Sequence, residues 1–205
     1  VFYMYGNNPA VLIKQLLKAP SIEKLVEIRN RADQLVYNYL KQEISMVFIA
    51  DMITEINDAL IQRAVEFSLE ALEESNLENP NLDFAWLSLG SEGRGEQLLK
   101  TDQDNAIVYA DPPKGKEAMV QKYFLALGDK VVDILVKCGF ALCEGNIMER
   151  NPKWNHSLHS WKAKMKEWLQ DHERESIVRG TIFFDFRYCY GNRDLVHQMS
   201  ASLFE

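Results

Sequence analysis

The sequence predicts an α+β fold in which an N-terminal antiparallel helix pair precedes a unit of alternating strands and helices. Two observations carry this prediction. Apolar residues recur at helical spacing in the first third of the chain, and short apolar runs alternate with helical stretches in the remainder. With 205 residues, 47% of them hydrophobic and 26% charged, the chain can bury a sizeable core as one or two domains.

The two N-terminal helices are predicted from their apolar periodicity. The first follows a start signal at Pro20-Ser21 and carries apolar residues three or four positions apart as far as Leu40. The second keeps the same spacing from Ile49 to Ala71. A packing scaffold or domain spacer is the favoured role for such a pair, and a partner-binding helix face is the alternative.

Three segments follow from these boundaries. Residues 1–19 are expected to be the tail of an upstream domain or a linker, because Val1-Phe-Tyr-Met-Tyr5 resembles the end of a strand and the chain does not start with Met. Residues 20–79 form the helical hairpin. A polar stretch with Asn79-Pro80 marks its end, and residues 80–205 form the second unit.

The start of the second unit combines a small-residue turn with a pair of acids. An apolar run, 84–89, predicts a buried strand that ends at Gly90-Ser91, where small residues let backbone N–H groups approach an anion. A second strand, 105–110, follows Asp102 and Asp104. Residues two apart in a strand point to the same side, so both carboxylates project together. Two such carboxylates suit Mg²⁺ that also holds substrate phosphates.

A third acid stands in the segment 181–190, whose aromatic and β-branched residues predict a strand. Alternation along that strand places Phe183, Asp185 and Arg187 on one face. An acid in so apolar a strand needs a partner. A metal ion is one candidate for this partner, and a salt bridge to Arg187 or Arg94 is the other.

Together these residues resemble a known family. Gly90-Ser91, a spacer and Asp102-x-Asp104 before an apolar strand resemble the nucleotidyltransferase signature of the DNA polymerase beta superfamily, which has a third carboxylate on a later strand. The pattern G-S-E-G-R-G-E-Q-x-x-x-T-D-Q-D-N-A is similar to the branch with PII-protein uridylyltransferase and glutamine synthetase adenylyltransferase. It is most similar to nucleotidyltransferases of unknown substrate that follow CBS or cyclic-nucleotide-binding domains. Further matches are 145–148, 151–154 and 183–187.

The resemblance implies a polymerase-beta-like nucleotidyltransferase domain over residues 80–205, with a small mixed sheet flanked by helices and truncated at its C-terminal helices. It also implies Mg²⁺ or Mn²⁺ as cofactor, with Asp102 and Asp104 bridging two ions and Asp185 completing the acceptor side. The residues that it assigns to the nucleotide are Gly90, Ser91, Arg94 and Lys100.

Most of these assignments have structural alternatives. The acidic pair could cap a turn before its strand, and Arg94 could form an ion pair with Glu92 or Glu96. Arg150 and Lys153 could contact nucleotide or acceptor, although solvated surface charge is the favoured interpretation of both.

The remaining composition limits the function classes. A net charge of −7 argues against a polymerase that grips nucleic acid. The glycines form neither a dinucleotide-binding nor a P-loop motif. Three cysteines without metal-type spacing fit a reducing cytoplasm, and no apolar run reaches the roughly 20 residues that a membrane span needs.

The expected function is therefore transfer of UMP or AMP from a nucleoside triphosphate to a protein or small-molecule hydroxyl. The resemblance also implies an upstream CBS or cyclic-nucleotide sensor domain, and it leaves a homodimer open. A nucleotide-binding regulatory module without transferase activity is the alternative. A third hypothesis, a helical interaction scaffold, requires no nucleotide binding.

Overall fold

The computed structural model describes residues 8–95, 103–143, 147–148, 150–171 and 174–203. The helices are α1 (Pro9–Leu17), α2 (Ile22–Lys41), α3 (Met46–Glu73), the single turn α4 (Gly90–Gly93), α5 (Glu117–Lys137), α6 (Leu158–Gln170), α7 (Arg174–Phe184) and α8 (Arg193–Ala201). The strands are β1 (Phe84–Ser88), β2 (Asn105–Tyr109), β3 (Asn155–Ser157) and β4 (Arg187–Gly191). A 3₁₀ turn, Pro152–Trp154, precedes β3.

The N-terminal helix pair is confirmed. The Ser21 side chain caps α2 by accepting a hydrogen bond of 3.1 Å from the Lys24 backbone N–H. Helix α1 contacts both α2 and α3 and buries Leu12 and Leu16 against them. Part of the predicted upstream tail is therefore a helix of the same core, whereas the strand expected at the very N-terminus lies outside the described residues.

Four strands form one mixed sheet in the order β3-β2-β1-β4. Strand β1 pairs antiparallel with both β2 and β4, and β2 pairs parallel with β3. A register shift between Trp86 and Leu87 marks a bulge opposite β4. The α+β class with a small mixed sheet flanked by helices is confirmed.

Helices cover both faces of this sheet. Trp86, Ile107 and Tyr109 pack into one core with α1, α2, α3 and α5. Leu87 and Val108 face the other way, into a second core with α6, α7 and α8. Burial on both faces explains why β1 and β2 are continuous apolar runs rather than alternating ones.

The strand predicted over 181–190 is wrong in its first half. Residues up to Phe184 belong to α7, and the strand begins only at Arg187. Phe183 is fully buried in the second core, where its ring stacks on Trp161 with centroids 4.4 Å apart. Aromatic residues suit a buried helix face as well as a strand, so packing overrides the local β propensity.

Candidate functional site

Three chain segments meet at one edge of the sheet. Because β1 runs antiparallel to β2 and β4, the end of β1 lies beside the starts of both neighbours. Ser88 is opposite Asn105 on one side and Arg187 on the other. Gly90, Asp104 and Asp185 are therefore brought to the same edge although they are distant in sequence.

Gly90 and Asp104 are in close contact. The backbone N–H of Leu89 donates a hydrogen bond of 2.8 Å to the Asp104 carbonyl oxygen, which joins the end of β1 to the start of β2. Gly90 has φ +53°, and a Cβ at this position would lie 3.1 Å from Oδ2 of Asp104. Glycine thus provides both the left-handed turn and the space beside the carboxylate.

Asp185 is held by the same loop. A Cβ on Gly93 would collide with the Asp185 backbone oxygen, so only glycine allows α4 to approach the turn before β4 this closely. The neighbouring Arg94 donates a hydrogen bond of 2.6 Å from Nη1 to Oδ2 of Asp185. One alternative for Asp185, a salt bridge to Arg94, is therefore present. This salt bridge is compatible with the roles expected for Asp185 at a metal ion and for Arg94 at a phosphate, because both side chains lie at the same edge of the sheet.

Three buried polar side chains at this edge are additional to the sequence-predicted set. Ser88, Gln103 and Asn105 are each at most 1% exposed. Among the described residues, none of their side-chain polar atoms has a hydrogen-bond partner. Buried polar groups normally have one. Gln103 and Asn105 lie on either side of Asp104 within the T-D-Q-D-N-A pattern. Their place in this pattern was the feature of the sequence that could have identified them as site residues.

The other predicted site residues divide into two groups. Ser91 is half-buried on α4, next to Gly90. Lys100 and Asp102 lie outside the described residues, as does Glu96, one of the acids considered as a partner for Arg94. The positions of Lys100 and Asp102 at this edge thus remain predictions.

Comparison with known protein families identifies the family of this chain. The family model described as "Putative nucleotidyltransferase DUF294" matches residues 30–175, well over half of the 205 residues. The chain belongs to this family. No curated protein matches it. Membership of the DUF294 family associates the chain with nucleotidyl transfer at a coarse level, without specifying nucleotide, acceptor or metal.

The matched span of the DUF294 domain includes Gly90, Arg94 and Asp104, whereas Asp185 lies beyond its end. Within the described part of the chain, no group of three His, Cys, Asp or Glu side chains is placed to hold a metal ion. The carboxylates of Asp104 and Asp185 are hard oxygen donors at one edge, and Oδ2 of Asp104 lies directly beside Gly90. This donor set fits Mg²⁺ or Mn²⁺, which bind through one or two carboxylates together with substrate phosphates.

Two other arginines of the chain have structural partners. Arg187 forms a two-pronged pair with Asp58 on α3, through bonds of 2.6 and 2.9 Å. Arg150 pairs with Asp133 and Asp129 on α5, at 2.6 and 3.2 Å. Arg150 is therefore held on α5 by these two acids.

The described helices contain no segment that is both long and apolar enough to cross a membrane.

Proposed function

We propose that the DUF294 domain transfers a nucleoside monophosphate, UMP or AMP, from its triphosphate to a hydroxyl group, as PII uridylyltransferase does. The acceptor hydroxyl belongs to a protein or a small molecule. Its oxygen bonds to the α phosphorus, its proton is released, and the bond to the bridging oxygen breaks so that pyrophosphate leaves. The meeting of Gly90, Asp104 and Asp185 at one sheet edge is the observation that carries this proposal.

The carboxylates are proposed to act as metal ligands. Asp102 and Asp104 would hold Mg²⁺ or Mn²⁺, and Asp185 would complete the set on the acceptor side. Bound divalent ions stabilise the attacking and leaving oxygens of such an in-line displacement. The hydrogen bond that fixes the Asp104 backbone to the end of β1 supports this assignment.

The phosphate contacts are proposed for the loop after β1. Ser91 and the backbone around Gly90 would hold the β and γ phosphates, with Arg94 and Lys100 providing positive charge. Arg94 is 43% exposed in its pair with Asp185. Exposed ion pairs are weak, so a triphosphate can draw this guanidinium away from Asp185 at small cost.

The same ion pair favours one alternative function. A guanidinium on Asp185 neutralises the carboxylate that completes the acceptor side. If Arg94 keeps this contact when nucleotide is bound, the domain binds triphosphate and metal without transferring anything. It would then be a regulatory module that reports to a sensor domain.

The expected partners form part of the proposal. They are a nucleoside triphosphate, an acceptor, and a CBS or cyclic-nucleotide sensor domain in the full-length protein; a second copy in a homodimer is left open. Nucleic acid is not expected as a substrate because the chain carries a net charge of −7. A cytoplasmic location is proposed from the three free cysteines.

Release of pyrophosphate tests the proposal. Each of the four triphosphates, labelled at the α phosphate, is incubated with the protein, Mg²⁺ and a cell extract as the source of acceptor. We expect one triphosphate to yield pyrophosphate together with a labelled acceptor, and Asp104→Asn to abolish both. Asp111→Asn is the matched control, because Asp111 follows the opposite end of β2, where it accepts a hydrogen bond from the His159 backbone N–H.

Two results decide against transfer. Equal turnover in Asp104→Asn and the unmodified protein would show that the carboxylate site does not carry out the transfer. Metal-dependent triphosphate binding without pyrophosphate release would instead support the regulatory module.

A further inference from the structure

A cavity of about 630 Å³ lies beside the candidate site, between α6, α7 and the chain around the 3₁₀ turn. Its volume is in the range of small-molecule sites, roughly 300–1,000 Å³. Nothing in the proposed binding of the triphosphate uses this space.

The cavity adjoins the carboxylates through two wall residues. Ile182 lines it, and Cγ2 of Ile182 lies 3.9 Å from the position that a Cβ on Gly90 would take. Ile147 also lines it, and the Ile147 carbonyl oxygen accepts a hydrogen bond of 3.2 Å from the N–H of Asn105, next to Asp104. The cavity and the sheet edge therefore share two wall residues.

The charge of the cavity is opposite to that of the chain. Among the described lining residues, Lys153, Lys164 and Arg179 are cationic and Glu167 is the acid, whereas the whole chain carries −7. The local potential is thus positive and suits an anion.

Aromatic side chains form another wall. Trp154 is 4% exposed and lies 6.0 Å, ring to ring, from the half-buried Trp168. Both rings line the cavity. An apolar or flat part of a ligand can pack on them while a charged group contacts the cations.

Building on the proposed function, we propose that this cavity binds the acceptor, a small molecule that carries a phosphate group. Its hydroxyl reaches Asp185 while its phosphate is held by Lys164 and Arg179. The hydroxyl oxygen then forms its bond to the α phosphorus of the triphosphate and loses its proton, and pyrophosphate is the leaving group.

The direction of α7 supports the acceptor over the triphosphate as occupant. Arg179 is five residues before Phe184, the last residue of α7. At 1.5 Å per residue, the two positions are about 7.5 Å apart along the helix. The α7 wall of the cavity thus ends at Ile182, three residues before Asp185, which is on the acceptor side of the proposed reaction.

Phosphate titration tests this inference with inorganic phosphate as the probe. Tryptophan fluorescence is followed in EDTA, so that metal-dependent phosphate binding at the carboxylates does not contribute. We expect saturable binding, a signal that Trp168→Phe reduces, and about tenfold weaker binding in Lys164→Gln and Arg179→Gln. Lys166→Gln is the matched control on the same helix, because Lys166 is exposed and does not line the cavity.

A second titration, with Mg²⁺ and the triphosphate that binds best, separates the two candidate occupants. Unchanged phosphate affinity supports the acceptor site. Competition between the triphosphate and phosphate would overturn the acceptor site and indicate a nucleotide subsite. Equal phosphate affinities in all variants would show that the cavity does not bind the anion. Failure of every triphosphate to bind would instead remove the proposed function, and with it the acceptor role, while phosphate binding would still establish the pocket.

Discussion

Arg94 and Asp185 join two segments that are 91 positions apart, through a hydrogen bond of 2.6 Å between Nη1 and Oδ2. Arg94 directly follows α4, and Asp185 lies in the turn before β4. Their side chains are 43% and 35% exposed. Pairs as exposed as this contribute little to stability, so the contact positions two groups at the candidate site more than it stabilises the fold.

Replacing Arg94 by Gln is expected to weaken triphosphate binding about tenfold, because a charged phosphate contact is lost. The free energy of unfolding should change by less than about 1 kcal/mol. Calorimetric binding and chemical denaturation measure the two effects. Arg193→Gln, an exposed arginine that lies over the ring of Tyr188, is the control. Reduced stability with unchanged affinity would make Arg94 a structural residue.

Gly93→Ala is expected to destabilise the protein and to displace Asp185. The added methyl group would meet the Asp185 backbone oxygen and lie 3.0 Å from that of Ser88, and neither backbone can move without disturbing the sheet edge. We expect a loss of about 2 kcal/mol or more, typical of overpacking.

Gly115→Ala is the control for the glycine substitution. Gly115 has φ +84° with nothing within 4 Å of an added methyl group, so the cost is backbone strain alone, about 1–2 kcal/mol. Thermal denaturation of both variants checks the difference. A Gly93→Ala protein as stable as the unmodified one would contradict the close approach of α4 to the turn before β4.

Asp58 and Arg187 are expected to couple α3 to β4. Their two hydrogen bonds measure 2.6 and 2.9 Å, and the side chains are only 23% and 30% exposed. A double-mutant cycle with Asp58→Asn and Arg187→Gln should give a coupling energy of about 1–3 kcal/mol. Additive losses of stability would show that the pair contributes nothing beyond its separate side chains.

His156 is expected to make stability fall with acid. Burial lowers its pKa to about 4 from the ordinary 6.5. Between these values the unfolded chain binds the proton more readily than the folded one, so the contribution is complete above pH 6.5 and is lost as the pH falls towards 4. Denaturation curves of His156→Gln should therefore show a shallower pH dependence in this window.

The exposed His159, at the start of α6, provides the comparison for His156. The same denaturation curves are recorded for His159→Gln, a substitution of the same kind at an exposed position. Identical pH profiles for His156→Gln and the unmodified protein would contradict the assignment.

The elements with strong periodicity were predictable from sequence. Helices α2 and α3 follow from their apolar spacing, and β1 and β2 follow from apolar runs bounded by small or acidic residues. The position of Asp104 at the start of β2 was predictable for the same reason. The segment before Asp185 was not, because its aromatic residues fit a buried helix and a strand equally well.

Sequence patterns could not predict which distant residues are partners at the site. The choice of Asp185 as the partner of Arg94 depends on how α4 packs against the turn before β4, which Gly93 permits. The cavity beside the site is likewise assembled from α6, α7 and a distant loop. Local spacing does not determine which distant segments meet.

Calorimetric titration of ATP, UTP, CTP and GTP with Mg²⁺, repeated in EDTA and with Asp104→Asn, tests the central claim most directly. We predict that one triphosphate binds selectively, and that binding is lost both without metal and in the variant. Asp111→Asn should bind as the unmodified protein does. Equal binding in Asp104→Asn, or no binding of any triphosphate, would contradict a metal-dependent nucleotide site at this edge of the sheet.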